Sequence, residues 1–259
     1  MDTLKNLRIF NINTIKVLAA VFMFIDHLGL MLYPDLLWLR MIGRLSMPLF
    51  AFAIAEGCRY TRNKWKHFFL LFGLGAVCQA VYAIVDPNNL YFGILITFSF
   101  STLMIYAMQF AKKCTFEKER KWWESTLAWL LFAALVAGTY IFCQHFTVDY
   151  KFYGCMLPVF ASIFDFHRIP APDIVKKLDV LPLRVLCMAI PMIPLLFAGA
   201  MGIQITWYSL LAIPLLLLYN GQKGKRNMKY FFYIFYPAHL VLRGHRGLDL
   251  FIVIKKRKS

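Results

Sequence analysis

The sequence predicts an all-α, polytopic integral-membrane helical bundle, and three observations carry that prediction. The chain is too apolar for a wetted globular surface, its apolar residues gather into stretches near bilayer length, and its basic residues gather in alternate connections. Of its 259 residues 60% are hydrophobic and 17% aromatic, with a mean hydropathy of +0.60, beyond the range of ordinary soluble domains. A spanning helix needs about 20 mostly apolar residues, because in hydrocarbon every backbone N–H and C=O must be satisfied within the segment.

Taken in order, apolar stretches run near 12–33, 36–58, 67–85, 91–111, 125–144, 152–166, 183–200, 204–219 and 229–242. By length they predict about nine transmembrane helices. The links are too short for a second domain, so residues 1–259 read as a single integral membrane domain. The first stretch is expected to remain in the mature protein, being long, polar in its second half and without a small-residue cleavage site.

The formal net charge of +16 invites a nucleic-acid reading until the positions are examined. Arg59, Arg62, Lys64 and Lys66 follow the second stretch, Lys112, Lys113, Lys118, Arg120 and Lys121 the fourth, Arg168, Lys176, Lys177 and Arg184 the sixth, and Lys223, Lys225, Arg226 and Lys229 the eighth. The opposite connections hold only Lys151. The positive-inside rule then predicts a cytoplasmic N-terminus and no nucleic-acid partner. The terminal run Lys255, Lys256, Arg257, Lys258 conflicts with nine crossings, so either Leu248–Ile254 lies along the interface or one weaker stretch is re-entrant. Cys58, Cys78, Cys114, Cys143, Cys155 and Cys187 show no CxxC pairing and are expected as buried free thiols.

An ionisable side chain at mid-membrane costs about 2.5–3.5 kcal/mol on insertion scales, so each one is a candidate for function. Lys16 and His27 stand eleven positions apart, which places them on one helix face about 16 Å apart along the axis. Such a column could hold a long anion at the Lys16 end and react at His27, whose imidazole suits general-base work near neutrality; a snorkelling lysine and a hydrogen-bonded histidine are the plainer reading. Asp26 points about 100° away from His27 and is expected to pair with a basic residue of the second stretch. Arg40 and Arg44, four apart, lie near the depth of His27 and can bind phosphate, stabilise an oxyanion, or pair with Asp26, Asp35 or Glu56. Glu56 is rotated about 120° from Arg44, so Arg59 is its expected local partner. Pro237 breaks the last stretch beside His239, which reads equally as a site wall or an ordinary kink. Asp149, Tyr150, Tyr153 and Gly154 are candidates to line an opening at the far side. No GxSxG elbow, Walker loop, HExxH or clustered metal ligands occur, which argues against hydrolase, ATPase and metalloprotease chemistry and against a metal cofactor.

Several of these segments resemble the TraX-like membrane proteins, which are related to the broader transmembrane acyltransferase superfamily. They are Ile25-Asp26-His27-Leu28-Gly29, the run from Leu39 through Arg40, Arg44 and Pro48 to Phe52, then Glu56-Gly57, Arg59-Tyr60-Thr61, and Phe235-Tyr236-Pro237-Ala238-His239-Leu240. The resemblance runs over nearly the whole chain and is most specific in its first third. It implies a multi-pass protein of the bacterial inner membrane that moves an acyl group, expected to be acetyl, from acyl-CoA bound at the cytoplasmic side to an acceptor amine or hydroxyl. The acceptor would be a pilin-like or other protein N-terminus, a glycan or a lipid. It further implies His27 as general base, Arg40 and Arg44 as oxyanion or CoA-phosphate ligands, Lys16 at the anionic end of acetyl-CoA, and Asp26, Glu56, Asp149, Tyr153 and His239 around the cavity. A transporter, or a non-catalytic membrane component of a conjugation or assembly system, is the alternative for the same buried charges.

Overall fold

The computed structural model describes residues 8–85, 91–117, 119–198, 203–224 and 235; the ninth apolar stretch apart from Phe235, the Pro237–His239 segment and the C-terminal run lie outside the described residues. Helix α1 spans Ile12–Met31. It starts where the Asn11 side chain accepts from the Thr14 amide at 3.0 Å, a side-chain N-cap that satisfies one of the first turn's unpaired donors. Just before it, Phe10 pairs with the chain near Tyr219 through Phe10 N–H to Leu218 O (3.0 Å) and Asn220 N–H to Phe10 O (2.8 Å).

The second apolar stretch is two helices, α2 (Leu37–Gly43) and α3 (Ser46–Tyr60). Pro48 explains the break, since it lacks the N–H that would bond the Arg44 carbonyl and its ring crowds that carbonyl. The turn tightens there, with Leu45 N–H reaching back to Ile42 O at 3.2 Å. Inside a bilayer helices associate through close packing and interhelical hydrogen bonds. The contact of α1 with α2 shows this: a Cβ on Gly29 would stand 2.8 Å from Leu39 Cβ, and one on Gly43 would overlap Asp26. Ser46 Oγ donates to Ala19 O at 2.8 Å, tying α3 to α1.

Helix α4 spans Lys64–Val85. Helices α5 (Ile94–Phe116) and α6 (Trp122–His145) run antiparallel. Their open ends are joined by a parallel pair of short strands, β1 (Tyr91–Phe92) and β2 (Thr147–Val148), with Tyr91 opposite Thr147 and Phe92 opposite Val148. The best apolar window of α5 is 67% buried and that of α6 only 17%, so α5 is central and α6 presents most of its surface to lipid. Helix α7 (Lys151–Ala161) has only 11 residues, about 16 Å of rise, and is buried among α3, α5 and the helix over Leu181–Ala198 rather than crossing alone. The short α8 (Asp173–Lys176) leads to α9 (Leu181–Ala198), which contains Pro191 and Pro194. Then α10 (Ile203–Thr206), a 3-10 turn (Trp207–Leu211) and α11 (Ala212–Leu217) break the eighth stretch into pieces.

Among the described residues four helical segments are long and apolar enough to cross a bilayer, at Ile12–Leu30, Leu37–Tyr60 (α2 and α3 taken together), Ile94–Phe116 and Trp122–His145. The fold is therefore an α-helical membrane bundle. Its main core joins Ile15 of α1, Leu49 and Phe52 of α3, Leu157 of α7, Val185, Met188 and Met192 of α9 and Leu216 of α11. All six cysteines are free and buried, as the sequence suggests.

Candidate functional site

Where α1 packs against α2, near the turn that leads into α7, one carboxylate is held between two guanidiniums. Arg40 Nη1 donates to both Asp26 Oδ2 (2.6 Å) and Asp26 O (2.9 Å), and Arg44 Nη2 donates to Asp26 Oδ1 at 2.6 Å. The side chains are 9–14% exposed, so the pairs feel little solvent screening. Asp26 thus pairs with the second stretch, as expected, and takes both arginines. Two guanidiniums share this one carboxylate, Asp149 adds a second negative charge within electrostatic reach of Arg44, and Arg44 Nε is buried with no hydrogen-bond partner. An orphaned charged donor of this kind costs stability and favours an oxygen ligand.

His27, the next residue, is half-buried and its Nδ1 lies 2.7 Å from Met23 O. A carbonyl only accepts, so Nδ1 carries the proton and a neutral ring keeps its lone pair on Nε2. Across from the arginines the chain leaves β2 and turns into α7 through two consecutive left-handed residues, Tyr150 (φ 58°) and Lys151 (φ 51°). Non-glycine residues adopt this conformation at a cost of about 1–2 kcal/mol each. The turn is fixed by Asp149 N–H to Phe92 O (2.9 Å) and Thr97 Oγ1 to Asp149 O (3.1 Å). It leaves the Tyr150 phenol within electrostatic reach of Arg44, Asp149, Asp26 and Arg40, while burial pushes its pKa up and keeps it protonated. Tyr153 packs against the main core one turn further on.

The opposite end of α3 carries a second polar layer. Glu56 Oε1 and Arg184 Nη2 stand 2.6 Å apart, Tyr219 Oη donates to Glu56 Oε2 at 2.8 Å, and Arg184 Nε donates to Ala161 O at 3.1 Å. The sequence-based expectation that Glu56 pairs with Arg59 is thereby corrected. Arg59 instead bridges Asp165 (2.9 Å) and Asp179 (2.6 Å), because both carboxylates lie on the segment following α7 and outbid a neighbour on the same helix. Lys112 and Arg184, read as loop charges, are buried within α5 and α9. Lys112 Nζ donates to Ser162 O (2.9 Å), Ile163 O (2.6 Å) and Asp165 O (3.2 Å), satisfying buried carbonyls of the turn that follows α7.

The profile of the TraX protein family matches residues 11–244, most of the chain. The chain belongs to the TraX family. This TraX-family chain is also 26% identical over 261 residues to the probable fimbrial assembly protein FimC, serogroup H1, of Dichelobacter nodosus, a match covering 90% of this chain and 94% of that protein. An uncharacterized protein of Rickettsia prowazekii (strain Madrid E) shares 55% identity over 38 residues, 15% of either chain. No solved structure shows a significant match.

Within this TraX-family chain the residues singled out from sequence divide between the two ends. Asp26, Arg40, Arg44 and Tyr150 meet, with His27 and Asp149 adjoining them in the chain. Glu56 sits twelve residues beyond Arg44, about 18 Å along the helix, in the Arg184–Tyr219 cluster. Lys16 lies on the second turn of α1, within electrostatic reach of Lys223. His239 falls outside the described residues. The partners that sequence reasoning missed, Arg184 and Lys112, carried one available signal: Lys112 directly follows the 91–111 stretch, and Arg184 lies inside the 183–200 stretch.

Proposed function

We propose that the chain is an acyl-CoA-dependent acyltransferase of the bacterial inner membrane, moving an acyl group, taken as acetyl, to an amine or hydroxyl of a pilin-like or other cell-surface acceptor. The observation that carries this reading is the Asp26–Arg40–Arg44 cluster beside His27: a buried set of N–H donors with an orphaned Arg44 Nε, next to an imidazole whose proton is parked on Nδ1. Membership of the TraX family and the fimbrial-assembly name of one relative support a role in pilus or conjugation machinery. The remaining alternation of basic connections supports a multi-pass topology with the N-terminus in the cytoplasm.

In this mechanism His27 Nε2 takes the proton from the acceptor N–H or O–H as that atom attacks the thioester carbonyl. The oxyanion of the tetrahedral intermediate is stabilised by Arg44 and Arg40, preorganised donors in a low-dielectric site. Collapse breaks the C–S bond, and the departing thiolate takes the proton back from His27. Asp26 fixes both guanidiniums, Tyr150 adds a neutral O–H donor, and Lys16 with Lys223 offers positive charge for the cofactor's phosphates. Asp149 and Tyr153 shape the acceptor side.

The second reading is a transporter or a non-catalytic assembly component, favoured by the relative named as an assembly protein. The two are separated by purifying the protein in detergent and measuring acetyl-CoA binding by thermal shift, then thiol release with an amine or hydroxyl acceptor. The enzyme reading expects stabilisation that a Lys16→Ala, Arg44→Ala double variant loses, and thiol release that His27→Ala abolishes. Absence of both in folded wild-type protein would leave the assembly reading.

A further inference from the structure

Around the far end of α3 the structure encloses a cavity of about 70 Å³ between α3, α4, α5 and the segment after α7. Small-molecule pockets occupy about 300–1,000 Å³, so this one takes a single chemical group and leaves the rest of a ligand outside. Its lining carries four cations, Arg59, Lys64, Lys113 and Arg168, against one carboxylate, Asp165. That carboxylate is committed to the walls: Oδ1 accepts from Arg59 (2.9 Å) and from the His167 amide (3.2 Å), and Oδ2 from Gln109 Nε2 (3.3 Å).

Arg59 is matched by Asp165 and Asp179 and Lys113 by Glu117 (3.9 Å), which leaves Lys64 and Arg168 as the cations without an ion pair among the described residues. Arg168 spends two of its five N–H donors on Thr61 O (2.8 Å) and Tyr60 O (2.9 Å), which orients the guanidinium at the rim. Lys64 Nζ sits 5.2 Å from the centre of the Tyr106 ring, with no carboxylate in ion-pair range among the described residues. Arg59 Nε, on a residue that lines the cavity, is buried without a hydrogen-bond partner. A small recess with spare N–H donors, surplus positive charge and an orphaned buried guanidinium nitrogen matches a tetrahedral oxyanion. Arg59 stands fifteen positions from Arg44 on the same span, about 22 Å along the helix, so this recess is separate from the Asp26 cluster.

We propose that this recess is a phosphate-binding site that receives one phosphate group of a larger ligand. The ligand is either the phosphorylated nucleotide head of acyl-CoA, an assignment resting on the function proposed above, or the headgroup of an anionic phospholipid. Lys64 and Arg168 supply the charge and the contacts that close on the phosphate, and Arg59, whose charge is taken up by Asp165 and Asp179, supplies only its unpartnered Nε–H.

The test places wild-type protein in phosphatidylcholine nanodiscs and measures binding of adenosine 3′,5′-bisphosphate, then exchange of phosphatidylglycerol, with Lys64→Gln, Arg168→Gln and His27→Ala variants alongside. Lys64 holds no carboxylate and Lys64→Gln is expected to fold, so it keeps the test valid if Arg168→Gln unfolds. The expected result is bisphosphate binding that weakens with added salt and falls about tenfold in Lys64→Gln, with His27→Ala unchanged. Phosphatidylglycerol binding lost in Lys64→Gln, with no bisphosphate binding, supports the site as a lipid-phosphate site and counts against acyl-CoA there. Bisphosphate binding indifferent to both Lys64→Gln and Arg168→Gln overturns the site while leaving the acyltransferase reading standing. Binding of neither probe to folded wild-type protein also overturns it, and thiol release then judges the acyltransferase reading separately.

Discussion

Asp26 and Gly43 pack so closely that there is no space between α1 and α2 for even a methyl group. The glycine is what lets the second helix bring Arg40 and Arg44 onto a carboxylate of the first. Gly43→Ala is therefore expected to lower stability by about 1–3 kcal/mol through overpacking, and, under the acyltransferase function proposed above, to lower thiol release as well by pushing both guanidiniums outward. Unfolding in detergent followed by far-UV circular dichroism measures the first effect, and thiol release the second. Unchanged stability and activity in this variant would refute the close contact.

Removing the carboxylate itself is a harsher change. Asp26→Ala leaves two buried guanidiniums repelling each other, and loss of one partner from a buried ion pair costs about 3–5 kcal/mol. Adding Arg40→Met to Asp26→Ala restores part of that loss, because a single remaining cation is easier to accommodate. A double variant no more stable than Asp26→Ala alone would show that the repulsion is unimportant.

The same logic applies at the other end of α3. Glu56→Gln and Arg184→Met are each expected to destabilise by about 3–5 kcal/mol, whereas the double variant should sit closer to wild type. A coupling energy near zero in the four-protein thermodynamic cycle would contradict the 2.6 Å pairing between them.

These two clusters also show where the sequence was readable. The Asp26 cluster joins residues separated by a single tight connection, so helix geometry alone brought Arg40 and Arg44 to it. Glu56 and Arg184 come from segments far apart in the chain, and no local periodicity encodes their meeting. A loop reading of Arg184 also followed from treating every lysine and arginine near a stretch boundary as solvated. The helix break at Arg44–Leu45 was encoded in Pro48, but counting apolar residues ran across it. The fragmentation of the 204–219 stretch had a similar cue in Pro214. The thiols, the helical membrane class and the TraX resemblance were legible because each rests on composition or a contiguous motif.

Lys112 is expected to behave as a structural cation. Lys112→Met removes three charge-assisted hydrogen bonds to the turn that follows α7, each worth about 1.5–3 kcal/mol before compensation by water. The net loss should be about 2–4 kcal/mol, with bisphosphate binding at the nearby recess retained wherever the protein remains folded. Proteolysis between α7 and α9 measures it: faster cleavage is expected, and an unchanged rate would show that the carbonyls find other donors.

The left-handed turn gives a prediction of opposite sign. Lys151→Gly removes the steric cost of φ 51° and is expected to stabilise by about 1 kcal/mol, raising the urea midpoint slightly. Tyr150→Phe keeps the turn but removes the neutral hydroxyl within electrostatic reach of Arg44, so under the proposed acyltransferase mechanism transfer should slow about tenfold with stability nearly unchanged. Equal activity of Tyr150→Phe and wild type would exclude the phenol from the chemistry.

The six thiols, all unpaired and all shielded within the bundle, make the natural protein nearly silent towards membrane-impermeant maleimides, since only an accessible thiolate reacts quickly. A single reporter cysteine placed at an exposed position such as Trp122, Phe146 or Ile174 would then label against a blank background, without first stripping cysteines from the core. Which reporters react in intact cells and which only after lysis would read out the sidedness of each connection, one loop at a time.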